Sequence, residues 1–130
     1  MKILKTPPLE CQPIRTLNFG YKHLLKTTWL KGQLPTVTHG LYGDTLTVDN
    51  VSIEHLVPKS KGGHTEIANI ALATKRNNIH RSSKNLKDVL SWEQAANYLK
   101  QFKGIKAENG FDGDFYIKRV SPTIERLLRQ

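Results

Sequence analysis

Residues 51 to 57 (VSIEHLV) roughly alternate apolar and polar side chains and are rich in β-branched types, a pattern that predicts a strand. Pro58 ends it, because proline has no N–H to give a ladder. The apolar pattern returns at residues 69 to 73 (NIALA), which predict a second short strand. Between the two runs a loop of about a dozen residues, a length more often functional than idle in a small domain. It contains KSKGG, turn chemistry with two glycines free to take positive φ. From Thr74 the chain turns polar and basic (TKRNNIHRSS), with Thr74 as N-cap and Ile79 as the single apolar anchor of a short helix. Glu54 and His55, adjacent on the first strand, point to opposite faces unless a twist or bulge splays them toward one cavity.

The flanks carry weaker periodicity. Pro7, Pro8 and Pro13 mark residues 1 to 15 as an extended arm. Asn18 is placed to cap a helix over residues 19 to 30, where Tyr21, Leu24, Leu25 and Trp29 recur at helical spacing and Trp29 reads as core. Residues 33 to 44 read as a loop leading into a strand at 45 to 48. Ser91 and Gln94 form a capping box for a helix with Trp92, Ala95, Ala96, Leu99 and Phe102 on one stripe. Residues 103 to 114 read as a polar loop and 115 to 120 as a strand. Ser121-Pro122 signals the start of a terminal helix with Ile124, Leu127 and Leu128. The expected class is α+β, a single domain over 1–130, with a central unit at 51–85 and a helical cover at 91–130.

Composition narrows the function classes. With 38% apolar content, 130 residues suffice for one modest core and not for two. No apolar run is long enough to span a membrane, and the opening MKILKTPP lacks the apolar core of a signal peptide. Cys11 is the only cysteine, which fits a reducing, cytoplasmic compartment and leaves no structural zinc site. Net charge is +9, unevenly spread. Residues 59 to 87 hold seven Lys and Arg against one acid, Glu66, whereas residues 32 to 58 hold Asp44, Asp49 and Glu54 with no Lys or Arg. Basic segments bracketing an acidic strand suit a groove that attracts phosphates over a cation-binding floor. By composition alone, a basic surface that is merely solvated fits as well.

The central residues resemble the HNH, or ββα-metal, nuclease family, in its small free-standing phage or mobile-element form. Glu54-His55 followed by LVPKSKGG is similar to the family's opening signature, Asn69 lies fourteen positions after His55, and Asn78 lies nine after Asn69. The resemblance covers about a quarter of the chain. It implies a ββα-metal unit in which His55 is the general base, a role suited to an imidazole with a reference pKa of about 6.5. Asn69 ties the loop together and helps to orient His55. Glu54 and Asn78 are implied as oxygen ligands of one Mg²⁺ or Mn²⁺ ion, with Asn77 the alternative to Asn78. Where many members close with two histidines and bind a softer ion, this chain has Asn78 and Ser82, which favours the harder ions.

Lys59, Lys61, Lys75, Arg76, His80, Arg81 and Lys84 are the candidate contacts to nucleic acid. His64 reads as an exposed loop residue, and His23 and His39 as structural. The expected function is therefore a divalent-metal-dependent endonuclease that nicks or cuts duplex DNA, as a monomer or homodimer. Two alternatives stand beside it: a non-cleaving nucleic-acid-binding module built on the same unit, and an RNase or toxin with the same site. RNA is the weaker partner, because residues 51 to 85 contain no aromatic platform for stacking bases.

Overall fold

The two short apolar runs pair with each other. β1 (Val51–His55) and β2 (Ile70–Thr74) form a two-stranded antiparallel sheet with Val51 opposite Thr74 and His55 opposite Ile70. The computed structural model describes residues 24–130, and four helices accompany the sheet there. Residues 24–30 are the described part of α1. α2 (Lys75–Arg81) follows β2 directly, and α3 (Trp92–Lys100) and α4 (Gly113–Arg129) complete the fold. The class is α+β. The expected arm at 1–15, the Asn18 cap and the first residues of the expected 19–30 helix lie outside the described residues.

A two-stranded sheet leaves one edge of each strand unpaired, and buried N–H and C=O groups there need partners. Side chains from the helices supply them. On the outer edge of β2, Leu72 N–H donates to the Tyr98 hydroxyl at 2.9 Å, and the Tyr116 hydroxyl donates to Ile70 O at 2.7 Å. Leu41 N–H closes the row on Leu72 O at 2.8 Å. On the outer edge of β1, Asn78 Nδ2 donates to Ile53 O at 2.8 Å and an Arg81 guanidinium nitrogen to His55 O at 3.0 Å. The sheet is thus held between α2 on one side and α3 and α4 on the other.

The core beneath is aromatic. Tyr98, Phe102, Phe111 and Tyr116 are buried with ring centroids 4.8–6.4 Å apart, in tilted and edge-on arrangements favoured by the ring quadrupoles. The two tyrosine hydroxyls bond each other at 2.9 Å, and burial pushes both phenols well above their usual range.

Several elements depart from the sequence reading. Residues 115 to 120, expected as a strand, belong to α4. Asp112 caps that helix by accepting from Phe115 N–H at 3.1 Å, and the buried Tyr116, Val120 and Ile124 recur every four residues. The helical period therefore prevails over the β-branched content. Pro122 sits inside α4 rather than in its first turn, and Ser121 Oγ donates back to Ile117 O at 2.6 Å instead of capping. The strand expected at 45 to 48 is reduced to a bridge between His39 and Thr45 followed by a turn, in which Thr47 and Asn50 bond each other's backbone. Ile79, the expected anchor of α2, is 78% exposed, and Arg81 takes the buried place. The Ser91–Gln94 capping box is present, but α3 buries Ala95 and Tyr98 and leaves Trp92 exposed. Trp29 is half-buried, its indole N–H on Val37 O at 2.7 Å.

Candidate active site

The loop between β1 and β2 is fixed by its glycines and by one asparagine. Gly62 takes φ +89°, a left-handed conformation natural to glycine, and ends the short turn Lys59–Lys61. Gly63 is required for a different reason: a Cβ there would fall 1.8 Å from Val57 O. Asn69, buried at the start of β2, bonds Val57 at the beginning of the loop and His64 in its middle. Its Oδ1 accepts from Val57 N–H at 2.9 Å, and its Nδ2 donates to Val57 O at 3.1 Å and to His64 O at 2.9 Å. The side chain uses its amide in three directions at once, which folds residues 57 to 64 back against the end of β1.

His55 lies under that loop. Its Nε2 is 2.7 Å from Thr65 Oγ1, so the ring is held by a hydroxyl on the far side of the loop. Thr74 caps α2, accepting from Asn77 N–H at 3.2 Å, and the cap aims the helix across β1. Asn78 then donates through Nδ2 to Ser52 Oγ at 2.9 Å as well as to Ile53 O. Both bonds use the nitrogen, leaving Oδ1 as the oxygen that Asn78 has to offer a cation. Asn77 turns elsewhere, its amide donating to the Asp44 carboxylate. Of the two adjacent asparagines, Asn78 is the one set against β1.

Glu54 is only 3% exposed. Its Oε2 accepts from the Tyr42 hydroxyl at 2.5 Å and lies 3.5 Å from an Arg81 guanidinium nitrogen. Desolvation raises the Glu54 carboxyl above its usual range, against the opposing pull of the Tyr42 hydrogen bond and the Arg81 charge. The same burial, reinforced by the Glu54 charge, pushes the Tyr42 phenol up. Five paired residues run through β1 without a bulge, so Glu54 and His55 stay on opposite faces. Glu54 shares its face with Ser52, the residue that Asn78 bonds. The carboxylate and the Asn78 amide are therefore together on one side of the strand and the imidazole on the other.

These donors suit a hard divalent ion only in part. Carboxylate and amide oxygens are the ligands that Mg²⁺ and Mn²⁺ take, and Mg²⁺ commonly has one or two protein ligands with water and phosphate completing its shell. Glu54 Oε2, however, is already committed to Tyr42 and Arg81, and the carboxylate also takes a hydrogen bond from the His55 backbone, so little of it is left for an ion beside Asn78 Oδ1. Among the described residues, no group of three or more His, Cys, Asp and Glu side chains could hold a metal.

Lys59, Lys61, Lys75, Arg76, His80 and Lys84 are all exposed on the loop and α2 side of the molecule. Arg81 is not: it is 2% exposed, and its guanidinium donates to Lys84 O, His55 O and Leu56 O at 2.7, 3.0 and 2.8 Å. The expectation that Arg81 faces phosphate is corrected, because its charge is turned inward onto Glu54 and the backbone. No family model, curated protein or solved structure matches this chain. No helix among the described residues is long and apolar enough to cross a membrane.

Tyr42 and Thr65 escaped the sequence reading. Tyr42 comes from the loop before β1, and nothing in its local sequence announces a carboxylate partner. Thr65 lies ten residues from His55, a distance that only the fold of the loop closes. The Asn69 geometry yields a prediction. Asn69→Ala removes three bonds worth roughly 0.5–1.5 kcal/mol each, so denaturant unfolding should show a loss of about 2–4 kcal/mol. A loss below that range would mean that water replaces the amide and the loop does not depend on it.

Proposed function

We propose that the chain is a divalent-metal-dependent DNA endonuclease built on a ββα-metal unit, with β1, the 56–69 loop, β2 and α2 as that unit. The observation that carries this reading is the Asn69 clamp. A buried asparagine at the end of the loop bonds Val57 at its start and His64 in its middle, setting the loop over His55, which is the part the family resemblance assigns to it. In the proposed reaction the His55 imidazole takes a proton from water. The water oxygen bonds to phosphorus as the bond to the 3′ oxygen breaks, and the 3′ oxygen takes up a proton from solvent, leaving a 5′ phosphate and a 3′ hydroxyl. A divalent ion held by Glu54 and Asn78 would stabilise the charge that gathers on the phosphate oxygens, and because these ligands and the imidazole lie on opposite faces of β1, the reaction requires the phosphate to reach both across the His55 end of the strand. Exposed lysines on the loop and on α2 draw the polyanion in.

The buried Glu54–Arg81 pair favours a second reading, a binding module whose carboxylate serves the fold. Supercoiled plasmid incubated with Mg²⁺, with Mn²⁺ and with EDTA separates the two. Conversion to open-circular or linear DNA only with metal supports the nuclease; retardation without cleavage in every condition supports the module. Asn78→Ala should lower the cleavage rate in a way that raised Mg²⁺ or Mn²⁺ partly restores. An equal loss at every metal concentration would remove Asn78 from the ligand set.

A further inference from the structure

Outside the central unit, the outer face of α4 carries three arginines. At about 100° per residue, Arg119, Arg126 and Arg129 fall within roughly 80° of one another, bordering the face that buries Tyr116, Val120 and Ile124. All three are exposed, and no acid shares their arc. Among the described residues the ion pairs are Arg81 with Glu54 and Lys106 with Asp112, so none of the three arginines is held in an ion pair. The stripe does not stop at the end of the helix. A cleft of about 170 Å³ separates the last turn of α4 from the loop between the strands, and Lys61, Asn85, Arg126 and Gln130 stand around it. Lys61 Nζ donates to Asn85 Oδ1 at 3.1 Å, which holds the ammonium beside that cleft. Arg126 also lines the neighbouring cleft with Arg129 and Glu125, and the Arg129 guanidinium lies 5.9 Å from the Trp92 ring centroid. That arrangement sets the guanidinium over the ring face and leaves its N–H edge for an acceptor.

We propose that Arg119, Arg126, Arg129 and Lys61 form a second contact for the sugar-phosphate backbone of duplex DNA, continuous with the loop above His55. The proposal rests on the nuclease reading only in taking nucleic acid as the partner. Cations in the last turn of a helix also complement its dipole, and that alone would account for Arg126 and Arg129. It accounts for neither Arg119, two to three turns earlier, nor Lys61 on a different element. From Arg119 to Arg129 the stripe runs about 15 Å along the helix. A duplex carries one negative charge per roughly 1.7 Å of axis, so several phosphates fall within that reach. Glu125 lies about 100° around the helix from Arg126 but only about 40° from Arg129, four residues on, so it borders the Arg129 end of the stripe and limits its width there.

The test is fluorescence anisotropy of a labelled 20-base-pair duplex of mixed sequence, in EDTA so that nothing is cut, over a series of NaCl concentrations. Arg119→Gln/Arg126→Gln should weaken binding and reduce the slope of log K against log salt by about 1.8, the value for two lost phosphate contacts. Arg126→Lys should keep the slope. Lys100→Gln, an exposed cation on α3, should leave it unchanged. An unaltered slope in the double variant overturns the stripe, as does an equal loss on Lys100→Gln, which would make the attraction diffuse. Failure of the unmodified protein to bind duplex, with or without binding to anionic vesicles, overturns both the stripe and the nucleic-acid reading. A reduced slope in a protein that never cleaves plasmid supports the stripe and sinks the nuclease reading alone.

Discussion

His55→Ala should lower the rate of metal-dependent plasmid cleavage by about 10²- to 10⁴-fold, the usual contribution of a positioned general base. The structure gives a reason to expect that loss without a loss of fold. What α2 holds at residue 55 is the backbone carbonyl, bonded by Arg81, and alanine keeps that carbonyl in place. Register in β1 depends on the backbone ladder and on Val51 in the core, neither of which uses the imidazole. The side chain reaches the loop, at Thr65. Duplex binding in EDTA and the unfolding midpoint should therefore stay close to those of the unmodified protein. Undiminished cutting by His55→Ala would remove the imidazole from the chemistry. Lost cutting accompanied by a lowered unfolding midpoint would instead assign it to holding the loop.

The central unit was legible because its signals are local. An alternating β-branched run, a Pro stop, a Gly pair and a Thr cap each act within a few residues, and β1, the loop, β2 and α2 all fall within a residue or two of their expected places. The Ser91–Gln94 capping box was legible for the same reason. Misreadings came where a tertiary choice overrides composition. Residues 115 to 120 contain Phe, Tyr, Ile and Val, all suited to a strand, yet the next apolar positions continue at four-residue spacing and the helix wins by burying them together. Ile79 against Arg81 is a second case. Hydropathy assigns the buried position on α2 to isoleucine, but the open edge of β1 presents carbonyls and a carboxylate that only a cation with several N–H groups can satisfy at once. The Tyr42 partner of Glu54 was invisible because no rule of spacing links a loop tyrosine to a carboxylate twelve residues on.

Arg81→Met should cost about 3–5 kcal/mol of stability, since it leaves Glu54 as a buried charge without its cation. The loss has two parts that pH separates. Three backbone carbonyls lose their donor at every pH. The electrostatic part depends on the ionisation of Glu54. Its carboxyl is raised in the folded state above the reference value of 4.5, chiefly by desolvation. A raised carboxyl binds its proton more tightly folded than unfolded, so its contribution to stability is fully present below 4.5 and is lost as pH rises through the folded value. Removing Arg81 takes away one of the groups that oppose the shift, the folded value climbs further, and the deficit of Arg81→Met should widen as pH rises from below 4.5 toward neutrality. Adding Glu54→Gln to Arg81→Met should recover the pH-dependent part, because a neutral amide needs no counter-charge, while leaving the carbonyl part in place. A deficit that is large but flat with pH would assign Arg81 to the strand edge alone. A deficit below about 1 kcal/mol would mean that neither the pair nor the carbonyls depend on it, and Glu54 would then be free to serve an ion with its whole carboxylate.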